Sequence, residues 1–322
     1  MQFKPDKAGP AAAAEQSKPA VHKDRVALGM AASAASFFML NTMNVFAKLL
    51  SDHHPAIEVA FLRNLIAAVP FAVWFFLLGH REGLKIHGSS GVLVVRCLIG
   101  TISLVATINA FNTLPIADAQ ALFFTSSLFV PVMGYFFLKE HVGPYRWSAV
   151  AIGFLGILVI VRPGGSVNMT GASYAIAAAF MHGTLGTLLR VLGRTERPET
   201  VTFYFLTIGA AMLGLAMPFV AVMPTWHELP LLLGAGISGA FAQVLLSMAY
   251  KYAPVALVTI FNYTGIVWAT AYGWFIWGDW PGAPVWIGAS IIIASSLFIV
   301  WRENRRAKLT RVLAAAQTGS GR

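Results

Sequence analysis

The sequence predicts an all-α membrane protein with ten transmembrane helices in two inverted repeats of five helices. Composition is the first reason, because 57% of the 322 residues are hydrophobic and only 11% are charged, whereas soluble domains carry about 25% charged residues. The second reason is that the chain contains ten apolar runs close to the roughly 20 residues that span a bilayer. The third is that the second half of the chain repeats the first at a nearly constant offset. Lipid is therefore the expected solvent, since helices satisfy their own backbone hydrogen bonds there.

The ten apolar runs are bounded by charged residues, prolines and glycines, which punctuate membrane helices. Their approximate limits are 27–50, 56–78, 90–112, 117–138, 145–162, 171–191, 200–222, 230–250, 255–277 and 283–301. Each run is predicted to be one membrane-spanning helix.

The net charge of +10 does not indicate a nucleic-acid partner, because the basic residues lie in tails and short loops and form no binding face. With the N-terminus in the cytoplasm, most Lys and Arg residues fall on that side, as the positive-inside rule requires. They are Arg81, Lys85, Lys139, Arg146, Arg190, Arg194, Arg197, Lys251 and those of the C-terminal tail. The opposite loops are nearly free of positive charge, with Lys48 and Arg162 as borderline exceptions. Both termini are thus predicted to be cytoplasmic, which requires an even number of spans.

Four regions follow from this assignment. Residues 1–25 are a disordered cytoplasmic tail, 26–163 the first five-helix repeat, 168–301 the second and 302–322 a basic cytoplasmic tail. The N-terminal tail has no apolar core, so it is not predicted to be a cleavable signal peptide. The first helix would then act as an uncleaved signal anchor.

Internal repetition is the strongest functional signal in the sequence. An offset of 139 residues aligns Pro115 with Pro254, Phe124 with Tyr263, Gly143 with Gly282 and Trp147 with Trp286, and an offset near 142 aligns Lys48 with Arg190 and Phe61 with Phe203. Because each copy contains an odd number of helices, the second copy must enter the membrane in the opposite orientation. Inverted repeats are typical of transporters, in which one copy rocks against the other around a site at the midplane.

Several short motifs resemble the drug/metabolite transporter superfamily, in particular its ten-helix branch of paired EamA-type repeats. They are Lys48, Phe61-Leu62-Arg63, the run from Asn112 to Ala119, Lys139-Glu140, Gly143, Trp147 and the Gly153–Ile160 run ending at Pro163-Gly164. The similarity covers roughly residues 27 to 301. It departs from the family pattern at Gly278-Asp279, where Gly-Glu is common, and Arg63 is replaced by Phe205 in the second copy. The resemblance implies a secondary carrier of small organic solutes.

Ionisable residues inside membrane spans are rare because they are costly there, so they are default site candidates. Arg63 is predicted to bind a carboxylate or phosphate through its guanidinium fork; the alternative is a structural pairing with Asp118 or with helix-end carbonyls. Arg96, Lys48 and Asp118 are candidates for ion or proton coupling or for charge pairing. Asp118 is equally well explained as a favourable charge at a helix N-terminus.

The remaining candidates for solute binding are uncharged polar or aromatic side chains within the spans. They are Asn41, Asn44, Asn109, Gln120, Phe124, His182, Gln243, Asn262 and Tyr263. The amides either line a polar cavity or bond neighbouring helices. His182 either shuttles protons or bonds a neighbouring helix, and the two aromatic residues either wall the cavity or pack helices together. Asn41, Asn44 and Lys48 share one helix face, which favours a stripe that faces the cavity or the bundle.

The sequence indicates no catalytic residue, no metal site and no cofactor. Gly234-Ala235-Gly236-Ile237-Ser238-Gly239 matches a dinucleotide-binding pattern but lies in an apolar helix without a preceding strand. The histidines have no metal-binding spacing, Cys97 is the only cysteine, and no P-loop is present. An enzyme and an ATP-driven pump are therefore not expected.

The sequence thus predicts a secondary transporter that moves a small organic metabolite by alternating access, with a weak preference for an amino acid or another carboxylate-bearing solute. The alternatives are a receptor or scaffold without transport, a membrane enzyme and, among transporters, export of a neutral or cationic metabolite or drug. The expected partners are a small-molecule solute and the lipid bilayer, with a homodimer left open. The expected location is a bacterial inner membrane.

Overall fold

The computed structural model describes residues 23–129, 132–133, 143–162 and 167–319, and this part of the chain contains helices but no strand. The predicted all-α fold is therefore confirmed. Most of the predicted N-terminal tail, Lys139-Glu140 and Pro163-Gly164 lie outside the described residues, as do residues 320–322.

The α-helices whose bounds lie within the described residues are numbered here in chain order. They are α1 (Lys23–Leu50), α2 (Ala56–Ala72), α3 (Ser90–Thr113), α4 (Ile116–Phe123), α5 (Pro144–Val161), α6 (Met169–Leu192), α7 (Pro198–Gly214), α8 (Met217–Val220), α9 (Leu229–Tyr252), α10 (Val255–Asn262), α11 (Gly265–Tyr272) and α12 (Ala283–Gly319). A π-helical turn extends α2 over Val73–Leu77 and another extends α11 over Gly273–Trp277, while a 3₁₀ turn at Arg81–Leu84 precedes α3.

Six helices within the described residues are long and apolar enough to cross a membrane. They are Val26–Leu50, Ala56–Leu77, Ser90–Thr113, Met169–Leu192, Leu229–Tyr252 and Ala283–Arg302. The other predicted spans also contain helix, but as a shorter helix in α5 or as broken pieces in α4, α7–α8 and α10–α11. Large apolar side chains cover the outside of the bundle, including Leu77, Leu215 and Phe219. Such a surface is stable in lipid and would aggregate in water.

The two short helices α4 and α10 end at equivalent places. Pro115 precedes α4 and Pro254 precedes α10, and in both cases an extended proline starts the helix. Each helix ends after eight residues, and a threonine hydroxyl then bonds a carbonyl three residues earlier: Thr125 to Leu122 and Thr264 to Phe261, both at 2.7 Å. The two helix ends are separated by the 139-residue offset found in the sequence. Broken helices of this kind line binding sites in many transporters.

Helix pairs approach closely through glycine and other small residues, as in many membrane bundles. The backbone of Gly156 in α5 lies against Gly288 in α12, where an added Cβ would stand 2.8 Å from a carbonyl oxygen. On α9, Gly234 lies against Phe46 and Gly236 against Ile66. The dinucleotide-like glycine pattern is thus part of a helix and serves close packing, as expected from its apolar context.

Candidate functional site

A cavity of about 180 Å³ lies between α1, α2, α3, α4, α6, α7, α9 and α10. The sequence candidates that line it are Asn41, Asn44, Arg63, Arg96, Gln120, His182, Gln243 and Asn262. Thr107, Ser126 and Tyr250 add polar groups, while Phe37, Phe123 and Phe205 contribute aromatic walls. This mixture of apolar walls with a few convergent polar groups is typical of a small-molecule site.

Arg63 projects from α2, and its side chain is among the largest that the fold buries, with 1% of the residue exposed. Its Nη1 donates to Oδ1 of the adjacent Asn64 at 2.9 Å. Its Nε and Nη2 have no hydrogen-bond partner among the described residues. We call this Nε/Nη2 side the open edge of Arg63; it is the side from which a guanidinium binds a carboxylate bidentately.

Gly239 of α9 faces the open edge of Arg63. A Cβ at position 239 would stand 2.5 Å from Nε and 2.7 Å from Nη2. Any larger residue would therefore fill the space in front of these two nitrogens. Only glycine fits at this position without displacing the guanidinium, because both nitrogens are buried against the backbone of α9.

Arg96 enters the cavity from α3 and is 2% exposed. Its Nη2 donates to Oε1 of Gln243 at 2.7 Å, and its guanidinium lies 4.0 Å from the ring centroid of Phe205, in cation–π contact. Its Nε and Nη1 have no hydrogen-bond partner in the described part of the chain. An added Cβ on Gly100 would stand 2.9 Å from the Phe205 ring and 3.0 Å from Nη1, so this glycine packs closely against the arginine.

Hydrogen-bond acceptors occupy another part of the lining. Nδ2 of Asn41 donates to the Phe37 carbonyl of its own helix at 2.8 Å, which leaves Oδ1 as the available atom. Oδ1 of Asn41, Oδ1 of Asn44 and Oγ1 of Thr107 are buried without a hydrogen-bond partner among the residues described. Buried acceptors of this kind need a donor from water or from a solute.

His182 lies on the cavity wall formed by α6, with its ring 5.7 Å from that of Phe123. Gln120 and Asn262 reach the cavity from α4 and α10, the two helices that end at equivalent places.

Three predicted solute contacts lie elsewhere. Phe124 and Tyr263 form an edge-to-face pair with centroids 5.2 Å apart, and neither is part of the cavity lining. The Tyr263 hydroxyl lies 3.3 Å from Ser127 Oγ, which in turn lies 2.6 Å from Ser296 Oγ. The structure thus gives this pair a helix-packing position. Asn109 donates to the Val105 carbonyl of its own helix at 2.9 Å and lies outside the lining as well.

Lys48 and Asp118 lie at the end of the bundle where α1 ends. The Lys48 ammonium donates to the Leu114 carbonyl at 2.6 Å and stands 5.5 Å from the Trp277 ring centroid. Asp118 and Asp279 line a second concavity nearby and act electrostatically on Lys48. Asn41 and Asn44 therefore face the cavity, whereas Lys48 contacts other segments of the bundle. Arg63 is bonded to Asn64, so the alternative pairing with Asp118 is not observed among the described ion pairs.

A cluster that the sequence reading missed joins the α1–α2 turn to the segment before α9. His54 is 2% exposed; its Nδ1 lies 3.1 Å from Oε2 of Glu58 and its Nε2 lies 3.3 Å from Oε2 of Glu228. Oε1 of Glu58 accepts a hydrogen bond from the Val222 amide at 3.1 Å. The only sequence signal was the spacing of His54 and Glu58, which are four residues apart across the start of α2. We call His54, Glu58 and Glu228 the histidine latch.

The pKa values of His54 and Glu228 are both shifted in the direction that favours the charged form of the side chain. Burial disfavours the charged imidazole of His54, but the hydrogen bonds and charges of Glu58 and Glu228 outweigh it and raise the His54 pKa above its usual value. Hydrogen bonds from the Thr225 amide and hydroxyl, with a smaller contribution from His54, lower the pKa of Glu228 to about 2. A charged imidazole between two carboxylates is therefore favoured in the folded state.

A second contact of this type joins the α2–α3 loop to the α6–α7 loop. Oε1 of Glu196 accepts hydrogen bonds from the amides of His87 and Gly88, and Oγ1 of Thr200 donates to the Gly83 carbonyl at 2.6 Å. Position 196 follows position 54 by 142 residues, the offset at which the early spans repeat. We call this group the glutamate latch.

An apolar helical bundle around a cavity with apolar walls, a few polar groups and two buried guanidiniums defines an integral membrane protein with a small-molecule site among its helices. The chain belongs to the EamA-like transporter family, whose sequence model matches residues 27–162 and 169–301.

Two named relatives and one solved structure are similar to this chain. The chain is 27% identical over 303 residues to a riboflavin transporter of Vibrio cholerae, covering 91% of this chain and 98% of the relative. It is 27% identical over 281 residues to the pseudopaline exporter CntI of Pseudomonas aeruginosa, covering 85% and 96%. A solved crystal structure, 18% identical, has a TM-score of 0.58 over 85% of this chain and 98% of the other, which shows a shared fold. The chain is a membrane transporter of small metabolites.

Proposed function

We propose that the protein is a secondary transporter that carries a small carboxylate-bearing solute, such as an amino acid, through the central cavity by alternating access. The main evidence for this substrate class is the open edge of Arg63, which is buried in the cavity lining and has no hydrogen-bond partner within the described residues. A buried charge without a counter-charge is costly. An anionic solute would supply the missing charge and two acceptors in the geometry that a guanidinium prefers.

The two latches support the alternating-access part of the proposal. The histidine latch joins α2 to the segment before α9, and the glutamate latch joins the α2–α3 loop to the start of α7. Both contacts connect the first predicted repeat to the second. Rocking of two inverted five-helix repeats would need to break one latch while the other holds. Gradients of solute or ions would drive this movement, because the sequence contains no P-loop.

We further propose ten spans in a bacterial inner membrane with both termini in the cytoplasm. Reporter fusions at Arg25 and at Thr310 are then expected to report the same, cytoplasmic side. A pair of periplasmic and cytoplasmic reporters at each site, with a fusion at Thr225 as the opposite-side control, makes the measurement. Fusions that report opposite sides would remove the ten-span arrangement.

The Arg63→Gln variant tests the substrate class. It keeps a polar side chain that can donate hydrogen bonds but removes the charge and the guanidinium fork, so it should lose solute binding. A thermal-stability screen of purified protein against anionic, neutral and cationic metabolites gives the measurement. A solute at 100 times its dissociation constant stabilises the wild type by about 2.7 kcal/mol, and we expect the variant to lose this stabilisation.

Arg190→Gln is the matched control, because Arg190 is exposed near the end of α6 and should keep wild-type binding. Unchanged anion affinity in Arg63→Gln would contradict the proposed substrate class. Tight binding without solute flux in liposomes would instead indicate a receptor.

A neutral or cationic solute is a second candidate, favoured by the unpartnered oxygens of Asn41 and Asn44 noted above. In that case the screen would show stabilisation by an amine or an uncharged metabolite, and Asn44→Leu would lose it while Arg63→Gln would not.

A further inference from the structure

The charges of the residues that line the cavity indicate which kind of anion it binds, an inference that rests on the proposed function. Among the described residues that line the cavity, Arg63 and Arg96 are charged and none is Asp or Glu. Neither guanidinium forms an ion pair with any described carboxylate. The positive charge of Arg96 is close enough to act on the positive charge of Arg63. The described lining thus carries two positive charges that repel each other.

The two arginines have the same pattern of satisfied and unsatisfied nitrogens. Each donates one hydrogen bond to an amide oxygen, of Asn64 for Arg63 and of Gln243 for Arg96. Each then has two buried nitrogens without a partner in the described part of the chain. Arginine cannot lose its charge at physiological pH, so the arginines need negatively charged acceptors rather than neutral ones.

A glycine also packs closely against each arginine. Gly239 lies against the open edge of Arg63, and Gly100 lies beside Nη1 of Arg96. Arg63 is on α2 and Arg96 is on α3, so the two unsatisfied groups are presented by different helices. A single carboxylate bound at one of them would leave the other charge buried and unpaired, which is strongly unfavourable.

We propose that the cavity takes a small organic dianion with two separate carboxylates, one bound by Arg63 and one by Arg96. The dianion neutralises both guanidiniums and supplies acceptors to nitrogens on both. The cavity of about 180 Å³ is smaller than the roughly 300–1,000 Å³ of drug-sized sites, which favours a short dicarboxylate. In this arrangement Arg96 is a second substrate-binding residue.

The test is isothermal titration calorimetry of the purified wild-type protein at neutral pH with four probes. Succinate and glutarate carry two separate carboxylates, monomethyl succinate matches succinate in size but carries one charge, and glycerol 3-phosphate places its charge on a single group. We expect succinate or glutarate to bind at least tenfold more tightly than monomethyl succinate. Arg96→Gln should bring the ratio close to one, and Arg190→Gln should leave it unchanged.

The outcomes separate this inference from the proposed function. Equal binding of succinate and monomethyl succinate, lost in Arg63→Gln, would overturn the dianion and leave a carboxylate transporter. Tighter binding of glycerol 3-phosphate than of either dicarboxylate would overturn the assignment of one carboxylate to each arginine. Binding of neutral or cationic solutes alone would overturn both proposals. The probe comparison uses the wild type, so it decides the question even if Arg96→Gln does not fold.

Discussion

Gly239→Val is expected to abolish binding of an anionic solute while the charge of the cavity stays the same. The new side chain would occupy the space 2.5 Å from Nε and 2.7 Å from Nη2 of Arg63, beginning with its Cβ. A contact this short cannot be tolerated, so the guanidinium must move or its open edge must be covered. We expect at least a hundredfold loss of affinity in titrations of the purified variant with the anion found in the stability screen. Overpacking of this kind also costs about 1–3 kcal/mol of stability.

Gly236→Ala is the control that separates blocking of Arg63 from poorer helix packing. Position 236 is on the same helix, and an added Cβ there would meet the Ile66 side chain at 2.5 Å. This substitution should cost comparable stability but leave solute affinity within a fewfold of wild type. Equal loss of affinity in both variants would mean that α9 packing, and not access to Arg63, controls binding.

The second large effect is expected at the histidine latch, which should make stability depend on pH. A group with a raised folded-state pKa stabilises the protein below its unfolded pKa and loses this effect as pH rises through the folded value. For His54, whose usual pKa is 6.5, the stabilisation is therefore complete below about pH 6.5 and is lost above it. Glu228 has a lowered pKa, so its contribution is present above its usual 4.5 and is lost as pH falls towards about 2. The latch should be strongest between about pH 4.5 and 6.5.

Glu58→Ala removes the partner that is shared by His54 and the Val222 amide. Removing one member of a buried ion pair typically costs about 3–5 kcal/mol, because the other is left uncompensated. We expect a loss of this size at pH 6 and a smaller loss at pH 8, measured by chemical denaturation in the same detergent. Glu82→Ala, at an exposed position, should change neither stability nor its pH dependence. A variant that loses equal stability at both pH values would show that His54 is uncharged in the latch.

Much of the candidate site was predictable because polar side chains are costly in apolar spans and stand out there. Arg63, Arg96 and the amides of α1, α4, α9 and α10 were identified on that ground, and the structure brings them to one cavity. Asn109 satisfied the same criterion, and Phe124 and Tyr263 were chosen as aromatic residues that could wall the cavity, but their partners are in their own helix or in a neighbouring one. Sequence spacing alone does not reveal whether a side chain on a buried helix contacts its own helix, a neighbouring helix or the cavity.

The sequence by itself determined the solvent of this protein, the helical structure and the approximate limits of its apolar segments, because hydrophobic length and backbone hydrogen bonding in lipid depend on local composition. Tertiary structure decided which buried groups meet. Gly239 opposite Arg63, Arg96 against Phe205 and His54 between Glu58 and Glu228 each join residues from separate helices or loops. Such pairs arise from how helices far apart in the chain pack against one another, and their geometry decides which charges remain available to a solute.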